Sequence, residues 1–253
     1  MSRHSTADYS YIDMHCHILP GVDDGSKDME MSLRMLEIAA ENNIGAVILT
    51  PHNRMDRHSV SVESMDRRIE DLSQAAQERG LDIPLYPGGE LYYDSTVMDR
   101  LRDGKAPTLN NSRYCLVEFS PLDEFSYISE GLRRISYEGY QPILAHCERY
   151  ACLTEKDKGL DRTEDLYRMG VYLQVNAASV VPKPFQRIPK YVNALLADEL
   201  VSFVATDAHR DSGRAPYMNE AAAYLRRKYD PLYVRAILHD NAEKVIYDEE
   251  GIE

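Results

Sequence analysis

Seven short apolar runs alternate with amphipathic helical patterns along almost the whole chain. The runs are Tyr11–His15, Ala46–Thr50, Pro84–Leu91, Tyr114–Phe119, Pro142–His146, Tyr172–Asn176 and Val201–Thr206. Each is hydrophobic nearly throughout, as a strand must be when both of its faces are covered, the usual situation in a parallel sheet. Between the runs, Met29, Leu33, Leu36, Ala40 and Ile44 recur at intervals of three and four, as do Val62, Met65, Ile69, Leu72 and Ala76. That spacing lays an apolar stripe along one helix face. Further helices are predicted over Ser126–Glu138, Arg162–Met169, Pro189–Asp198, Pro216–Lys228 and Pro231–Leu238. Gly45, Gly80, Gly139 and Gly170 follow helical patterns, where a left-handed cap favours a residue without Cβ. No linker or low-complexity stretch interrupts the series. The expectation is therefore one α/β domain over residues 11–253, a seven-stranded parallel barrel that is closed or nearly so. A doubly wound open sheet is the alternative.

The length of 253 residues suits such a barrel, which typically needs about 250. A chain of this size buries about 75% of its unfolded surface, so stability does not require disulfides or a structural metal. The 29 basic and 42 acidic residues give a net charge of −13, with no basic cluster to offset it. A nucleic-acid-binding surface is therefore not expected. Residues 1–10, MSRHSTADYS, are polar and lack the apolar centre of a signal peptide; they read as an N-terminal extension, either a free arm or a subunit contact. No run approaches the roughly 18 apolar residues of a membrane span. Cys16, Cys115, Cys147 and Cys152 form no CxxC pair, so neither a zinc knuckle nor a disulfide framework is indicated. The expected compartment is the cytoplasm.

The metal-capable side chains cluster at the carboxyl ends of the predicted strands. The first strand runs into His15-Cys16-His17, the second into His52 and the third into Glu90. The fourth carries Glu118, the fifth ends at His146, and the seventh runs into Asp207-Ala208-His209. In a barrel those ends converge on one face, where active sites are built. Residues two apart in an extended segment share a face, so His15 and His17 can point together while Cys16 turns away, and Asp207 can pair with His209. Asp13, on the face of His15, is expected to orient one of these side chains. His4, His58 and His239 fall outside the pattern and read as surface histidines.

Mixed imidazole and carboxylate donors suit zinc, manganese or iron, and the absence of thiolates argues against a purely structural zinc site. Asp24, Glu90, Glu118 and Asp207 would bring four negative charges against six positive charges on three divalent ions. The pocket would then be cationic inside an acidic protein, as a phosphate ester requires. Two ions about 4 Å apart can clamp a phosphoryl group and lower the pKa of water towards 7.

The segments YIDMHCHILPGVDDG, ILTPHN, PGGELYY, LNNSRYCLVEFS, PILAHCERY, LQVNAAS and FVATDAHRDSGRAPYM resemble those of the bacterial manganese-dependent protein-tyrosine phosphatases. These belong to the polymerase-and-histidinol-phosphatase (PHP) superfamily and are encoded with capsule and exopolysaccharide genes. The resemblance runs from about Tyr11 to Ile246. It implies a distorted seven-stranded TIM-like barrel holding three divalent ions, manganese by family, although the donors alone also allow zinc or iron. By position, one ion takes His15, His17 and Asp207 and shares Glu90 with a second, which adds Glu118 and His146. The third takes Asp24, His52 and His209. Asp24 is preferred to Asp23 because the family places its ligand immediately before the glycine of the turn. Arg149 and Arg214 match the family's phosphate-contacting arginines, and a guanidinium fork suits phosphate oxygens.

The implied reaction is hydrolysis of protein phosphotyrosine by direct attack of activated water, with no covalent phosphoenzyme. The cysteines agree, since a thiol phosphatase needs Cys-x5-Arg and the residues six after each cysteine are Val22, Pro121, Leu153 and Lys158. The resemblance also implies a partner, a bacterial tyrosine kinase with a phosphorylated tail that regulates polysaccharide export. The rivals are a histidinol-phosphate phosphatase, a phosphodiesterase or exonuclease of the same superfamily, and a non-enzymatic regulator. The Asp-Asp-Gly turn and the His-Cys-Glu-Arg-Tyr and Gly-Arg-Ala-Pro segments favour the tyrosine branch.

Overall fold

The structure is a computed structural model that describes residues 9–55, 60–156, 158–182 and 187–252. His4, His58 and residues 1–8 of the expected extension lie outside the described residues. In chain order the elements are β1 (Tyr11–Cys16), α1 (Met29–Glu41), β2 (Ile44–Leu49), β3 (His52–Asn53), α2 (Val62–Glu78), β4 (Leu85–Pro87), β5 (Glu90–Tyr92) and α3 (Val97–Arg102). There follow β6 (Tyr114–Glu118), α4 (Phe125–Tyr137), β7 (Gln141–Leu144), α5 (Gly159–Arg168), β8 (Tyr172–Asn176) and α6 (Ala177–Val180). The chain continues through α7 (Ile188–Ala197), β9 (Phe203–Ala205), α8 (Asn219–Lys228), α9 (Pro231–Arg235) and α10 (Asn241–Ile246).

Every named strand pair is parallel. β1-β2-β4 form one sheet, and β3-β5-β6-β7-β8-β9 form a six-stranded sheet that curls into a half-barrel. Cys16 forms a parallel bridge with Ala208, and His17 N–H donates to the Ala208 carbonyl at 2.8 Å. The ends of β1 and β9 therefore meet.

This pairing differs from the expected seven continuous strands. The run Pro84–Leu91 divides at Gly88-Gly89: β4 pairs with β2, whereas β5 pairs with β3 and β6. The break needs glycine, because a Cβ at Gly88 would meet the Ile48 side chain at 2.9 Å. Glu90 consequently opens a strand instead of closing one, and its register partner is His52.

The α2 stripe forms as the spacing requires, burying Met65, Ile69, Leu72 and Ala76. Each of the larger side chains contributes about 2 kcal/mol. The α1 stripe departs from the pattern. The helix stops at Glu41, Ala39 is buried in place of Ala40, and Ile44 already belongs to β2. Asn43 (φ 59°) takes the left-handed position after α1. Gly45 lies within β2, where a Cβ would come within 2.2 Å of Ser10. The last helix also runs beyond Leu238. α9 passes through a π turn (Ala236–Asp240) into α10, whose Val245 and Ile246 pack with Ile12, Met14, Ile48, Leu116 and Phe203. Among the described residues, no helix is long and apolar enough to cross a membrane.

Candidate metal centre

His15 and His17 flank Cys16 at the end of β1, and their Nε2 atoms lie 3.4 Å apart. Cys16 turns its thiol to the Ile48 carbonyl, 3.6 Å away. Asp207 and His209 also converge, with Oδ1 and Nδ1 3.4 Å apart, but not through an extended pleat. Asp207 has φ 50° and His146 has φ 33°, both in the left-handed region, where such strained non-glycine residues cluster at functional sites.

Glu90, fully buried, is the hub. Its Oε1 lies 2.8 Å from His146 Nε2 and 3.4 Å from His15 Nε2. Its Oε2 lies 2.8 Å from His52 Nδ1 and 3.4 Å from His17 Nε2. Glu118 stands 3.7 Å from His52 Nδ1 and 3.8 Å from His146 Nε2. Asp24 Oδ1 lies 3.3 Å from His52 Nε2 and 3.5 Å from His209 Nε2. Asp207 Oδ1 lies 3.6 Å from both His15 Nε2 and His17 Nε2. The structure thus gathers all nine singled-out side chains into overlapping groups, in each of which the donor atoms lie within 4.8 Å of one another. The groups are His17 with Asp24, His52 and His209; His15 with His17 and Asp207; His15 with Glu90 and His146; and His52 with Glu90 and Glu118.

Arg149 and Arg214 stand at the mouth, half exposed, and both donate to Asp207 Oδ2, at 3.1 and 2.9 Å. His239 lies elsewhere and is not a free surface residue, because its Nδ1 is 2.7 Å from the Ser10 carbonyl.

Three imidazoles have the ring nitrogen that faces away from the pocket engaged by a partner. His15 Nδ1 lies 3.0 Å from Gln174 Oε1, His17 Nδ1 2.7 Å from Asp23 Oδ2, and His209 Nδ1 2.9 Å from the Asp207 carbonyl. Each Nε2 is left for the pocket, the arrangement that orients metal-binding histidines. Gln174 and Asn176 went unassigned in the sequence, although two polar residues two apart in an apolar run are a readable signal. Gln174 Nε2 donates to Asn176 Oδ1, and Asn176 Nδ2 donates to Asp207 Oδ2, both at 2.9 Å. Asp23 also accepts from the backbone N–H groups of His52 and Gly25, which occupies its carboxylate and leaves Asp24 facing the imidazoles. Asp13 does not bond a ring. Its carboxylate accepts from the Thr206 N–H and hydroxyl, so it braces the segment before Asp207.

Burial alone would drive the pocket imidazoles neutral, but Glu90 outweighs it at His15 and His52, and Asp23 with Glu90 outweighs it at His17. All three pKa values rise. Glu90 is held well below the usual carboxylate range despite its burial, chiefly by the His15 charge and hydrogen bonds from His146 and His15. Burial, then the charge of Glu90, pushes Glu118 up, whereas burial and the charge of His17 push His209 down to about 3. Carboxylates that raise three imidazole pKa values in this way form a negative pocket that suits cations.

The donors fit cations on a second count. His52 Nδ1 and Glu90 Oε2 face each other at 2.8 Å without hydrogen-bond geometry, and Glu118 Oε2, 3.7 Å from the same nitrogen, is buried with no partner. Each such orphan costs about 1–3 kcal/mol, and an ion among them would offset it. The imidazole and carboxylate set suits manganese, zinc or iron. The four cysteines are unpaired, and burial lifts the thiols of Cys16, Cys115 and Cys147 above their ordinary range. A thiolate nucleophile is therefore disfavoured.

A curled parallel α/β sheet with imidazoles and carboxylates gathered at its strand ends defines a TIM-like protein built around a metal centre. The phosphotriesterase homology protein of Escherichia coli shares that fold, with a TM-score of 0.59 at 14% identity over 92% of this chain and 98% of that one. The chain belongs to the CpsB/CapC family of capsular polysaccharide synthesis, which it matches over residues 11–247. It is 33% identical to the tyrosine-protein phosphatase CpsB of Streptococcus pneumoniae over 94% of this chain and 99% of that protein. It is 28% identical to the tyrosine-protein phosphatase YwqE of Bacillus subtilis, over 93% and 91%. Among solved structures it is similar to one described with YwqE from B. subtilis and CpsB from S. pneumoniae as unique metal-dependent tyrosine phosphatases. The TM-score there is 0.86 at 26% identity, covering 94% of this chain and 95% of that one.

Proposed function

We infer that this chain is a metal-dependent protein-tyrosine phosphatase. The observation that carries the reading is the meeting of five imidazoles and four carboxylates in one pocket of a chain similar throughout to tyrosine-protein phosphatases. His15, His17, Asp24, His52, Glu90, Glu118, His146, Asp207 and His209 would hold the ions, three divalent cations with manganese as the proposed metal. Bound cations supply positive charge for phosphate oxygens and acidify water.

The chain's own groups supply the remaining functions. Arg149 and Arg214 stand beside one carboxylate oxygen at the mouth, from where their forks can reach phosphate oxygens as charge builds. Gln174, Asp23 and the Asp207 carbonyl hold three rings in a fixed orientation. A tyrosine phenol has a pKa near 10, so it leaves with less need of a proton donor than an alkyl alcohol.

We read β2 with β3, and β4 with β5, as two interrupted strands, which gives seven in a distorted PHP-type barrel forming one domain over residues 11–253. The Cys16–Ala208 bridge supports closure. The proposed setting is the cytoplasm, and the proposed substrate is the phosphorylated tail of a bacterial tyrosine kinase that regulates capsule or exopolysaccharide synthesis.

The test replaces His52 or His146 with alanine and assays a phosphotyrosine peptide with added manganese, with histidinol phosphate measured in parallel. A large loss on the peptide is expected, with little wild-type turnover of histidinol phosphate. Undiminished peptide turnover by a folded variant would contradict the reading, and a preference for histidinol phosphate would replace it.

A further inference from the structure

Beside Asp207 and Arg214 lies a cavity of about 250 Å³, bordered by the starts of α6 and α8. Its lining has two characters. Asn176 and Arg214 both donate to Asp207 Oδ2, at 2.9 Å each, so its polar groups gather at the metal-centre residues. The remaining wall includes Ala178 and Val181 on the α6 side, and Ala215, Tyr217 and Ala221 on the α8 side. Tyr217 is a large aromatic left 52% exposed there.

Sites for drug-sized ligands span roughly 300–1,000 Å³ and combine apolar walls with a few placed polar groups. This cavity lies just below that range, which suits one ring but not a folded peptide segment. We propose that it is the aryl subsite of the active centre, taking the phenyl ring of phosphotyrosine while the phosphate lies at the Arg214 end. The small side chains of Ala178 and Ala221 leave the space for the ring, and Tyr217 offers an aromatic face to its edge. Glu220 also borders the cavity, and its carboxylate repels a second anion, so the phosphate end belongs at Arg214. The proposal rests on the phosphatase reading and adds the part of the site that selects aryl over alkyl esters.

The test uses manganese-replete protein, with phenylphosphonate, methylphosphonate and inorganic phosphate as binding probes by calorimetry and phenyl phosphate as substrate. The wild type is expected to bind phenylphosphonate at least tenfold more tightly than methylphosphonate. Ala178→Leu fills the cavity from an exposed position and is expected to abolish that preference. It should also raise KM for phenyl phosphate at least tenfold with kcat within about threefold, while phosphate binding changes little. Tyr217→Ala, which removes bulk, should weaken phenylphosphonate about fivefold, as the loss of about 1 kcal/mol of ring contact implies.

Equal wild-type affinity for the two phosphonates overturns the proposal, as does an unchanged preference in both variants. Failure of the underlying reading looks different: the wild type would hold metal yet hydrolyse neither phenyl phosphate nor a phosphotyrosine peptide. The phosphonate preference would still judge the cavity in that case.

Discussion

Gln174 Oε1 accepts from the backbone N–H of His146 at 2.7 Å and lies 3.0 Å from His15 Nδ1. A backbone N–H can only donate, so it fixes which end of the Gln174 amide is oxygen. His15 must then carry a proton on Nδ1, which leaves Nε2, facing Glu90 and Asp207, as the nitrogen that an ion would take. The same amide passes the constraint on, because its NH₂ donates to Asn176, whose own NH₂ faces Asp207. One glutamine on β8 thereby coordinates residues from β1, from the turn after β7 and from the turn after β9.

The ring state of His15 follows from that chain. In zinc-loaded, diamagnetic protein, long-range ¹H–¹⁵N NMR is expected to show His15 Nδ1 protonated and Nε2 without a proton. Gln174→Leu keeps the volume but removes the acceptor, and should weaken metal retention against a chelator about 10–100-fold. An unchanged dissociation constant would mean that Gln174 only fills space.

Metal removal should cost stability as well as activity. Glu90 is buried beside Glu118, and stripping the ions leaves the charge of this pair to imidazole protons. An ion present at 100 times its Kd adds about 2.7 kcal/mol, which for a chain of this size corresponds to roughly 5 °C or more in Tm. Chelation should lower Tm by at least that amount, and added manganese should restore it. A Tm indifferent to chelation would mean that these groups hold no ion.

The convergence of the candidate site residues was legible because imidazoles and carboxylates are conspicuous at the ends of apolar runs, and strand direction alone brings His15, His17, His146, Asp207 and His209 to one end of the sheet. What escaped the sequence depends on packing across strands. Nothing local to Pro84–Leu91 says that its two halves pair with different neighbours, β4 with β2 and β5 with β3 and β6. Gln174 acquires its role only once β8 lies beside β7 and within reach of His15. The helical period after Met29 continues to Ile44 by coincidence, and the left-handed turn at Asn43 ends it.

Gly25 should tolerate no side chain. A Cβ there would lie 2.2 Å from the His17 carbonyl oxygen and 2.4 Å from His17 Cβ, so Gly25→Ala must move the turn that carries Asp23 and Asp24. Activity is expected to fall more than tenfold, since the clash is buried against His17 and displaces both the Asp23 that orients its ring and Asp24. Near-ultraviolet circular dichroism together with a phosphotyrosine-peptide assay separates the two effects.

Arg149 and Arg214 share one oxygen of Asp207. Charge-assisted hydrogen bonds are worth about 1.5–3 kcal/mol, so alanine at either position should reduce kcat/KM on a phosphotyrosine peptide about 10–100-fold. The double variant should lose less than the product of the single losses, because the two arginines meet at the same atom. Full multiplicativity in a double-mutant cycle would show that they act independently.

Arg100 makes a prediction outside the pocket. It is 6% exposed, and its guanidinium donates to the Asn53 carbonyl at 3.4 Å, to the Asn53 side chain, to the Tyr92 carbonyl at 3.3 Å and to Asp94 at 3.4 Å. Asn53 follows His52 and Tyr92 lies two residues after Glu90, so this one side chain ties together the strands that carry both. Arg100→Ala removes these bonds, those to buried Asn53 above all, and should cost about 2–4 kcal/mol in denaturant unfolding. The loss should depend on pH. Burial pushes the Asp94 carboxyl up, but Thr96 and Arg100 outweigh it and hold its pKa below the ordinary value. The stability this adds is present above the unfolded pKa of about 3.9 and disappears as pH falls through the folded value. The gap between wild type and variant should therefore narrow below about pH 4; a gap constant from pH 7 to pH 3 would assign the whole effect to the backbone carbonyls.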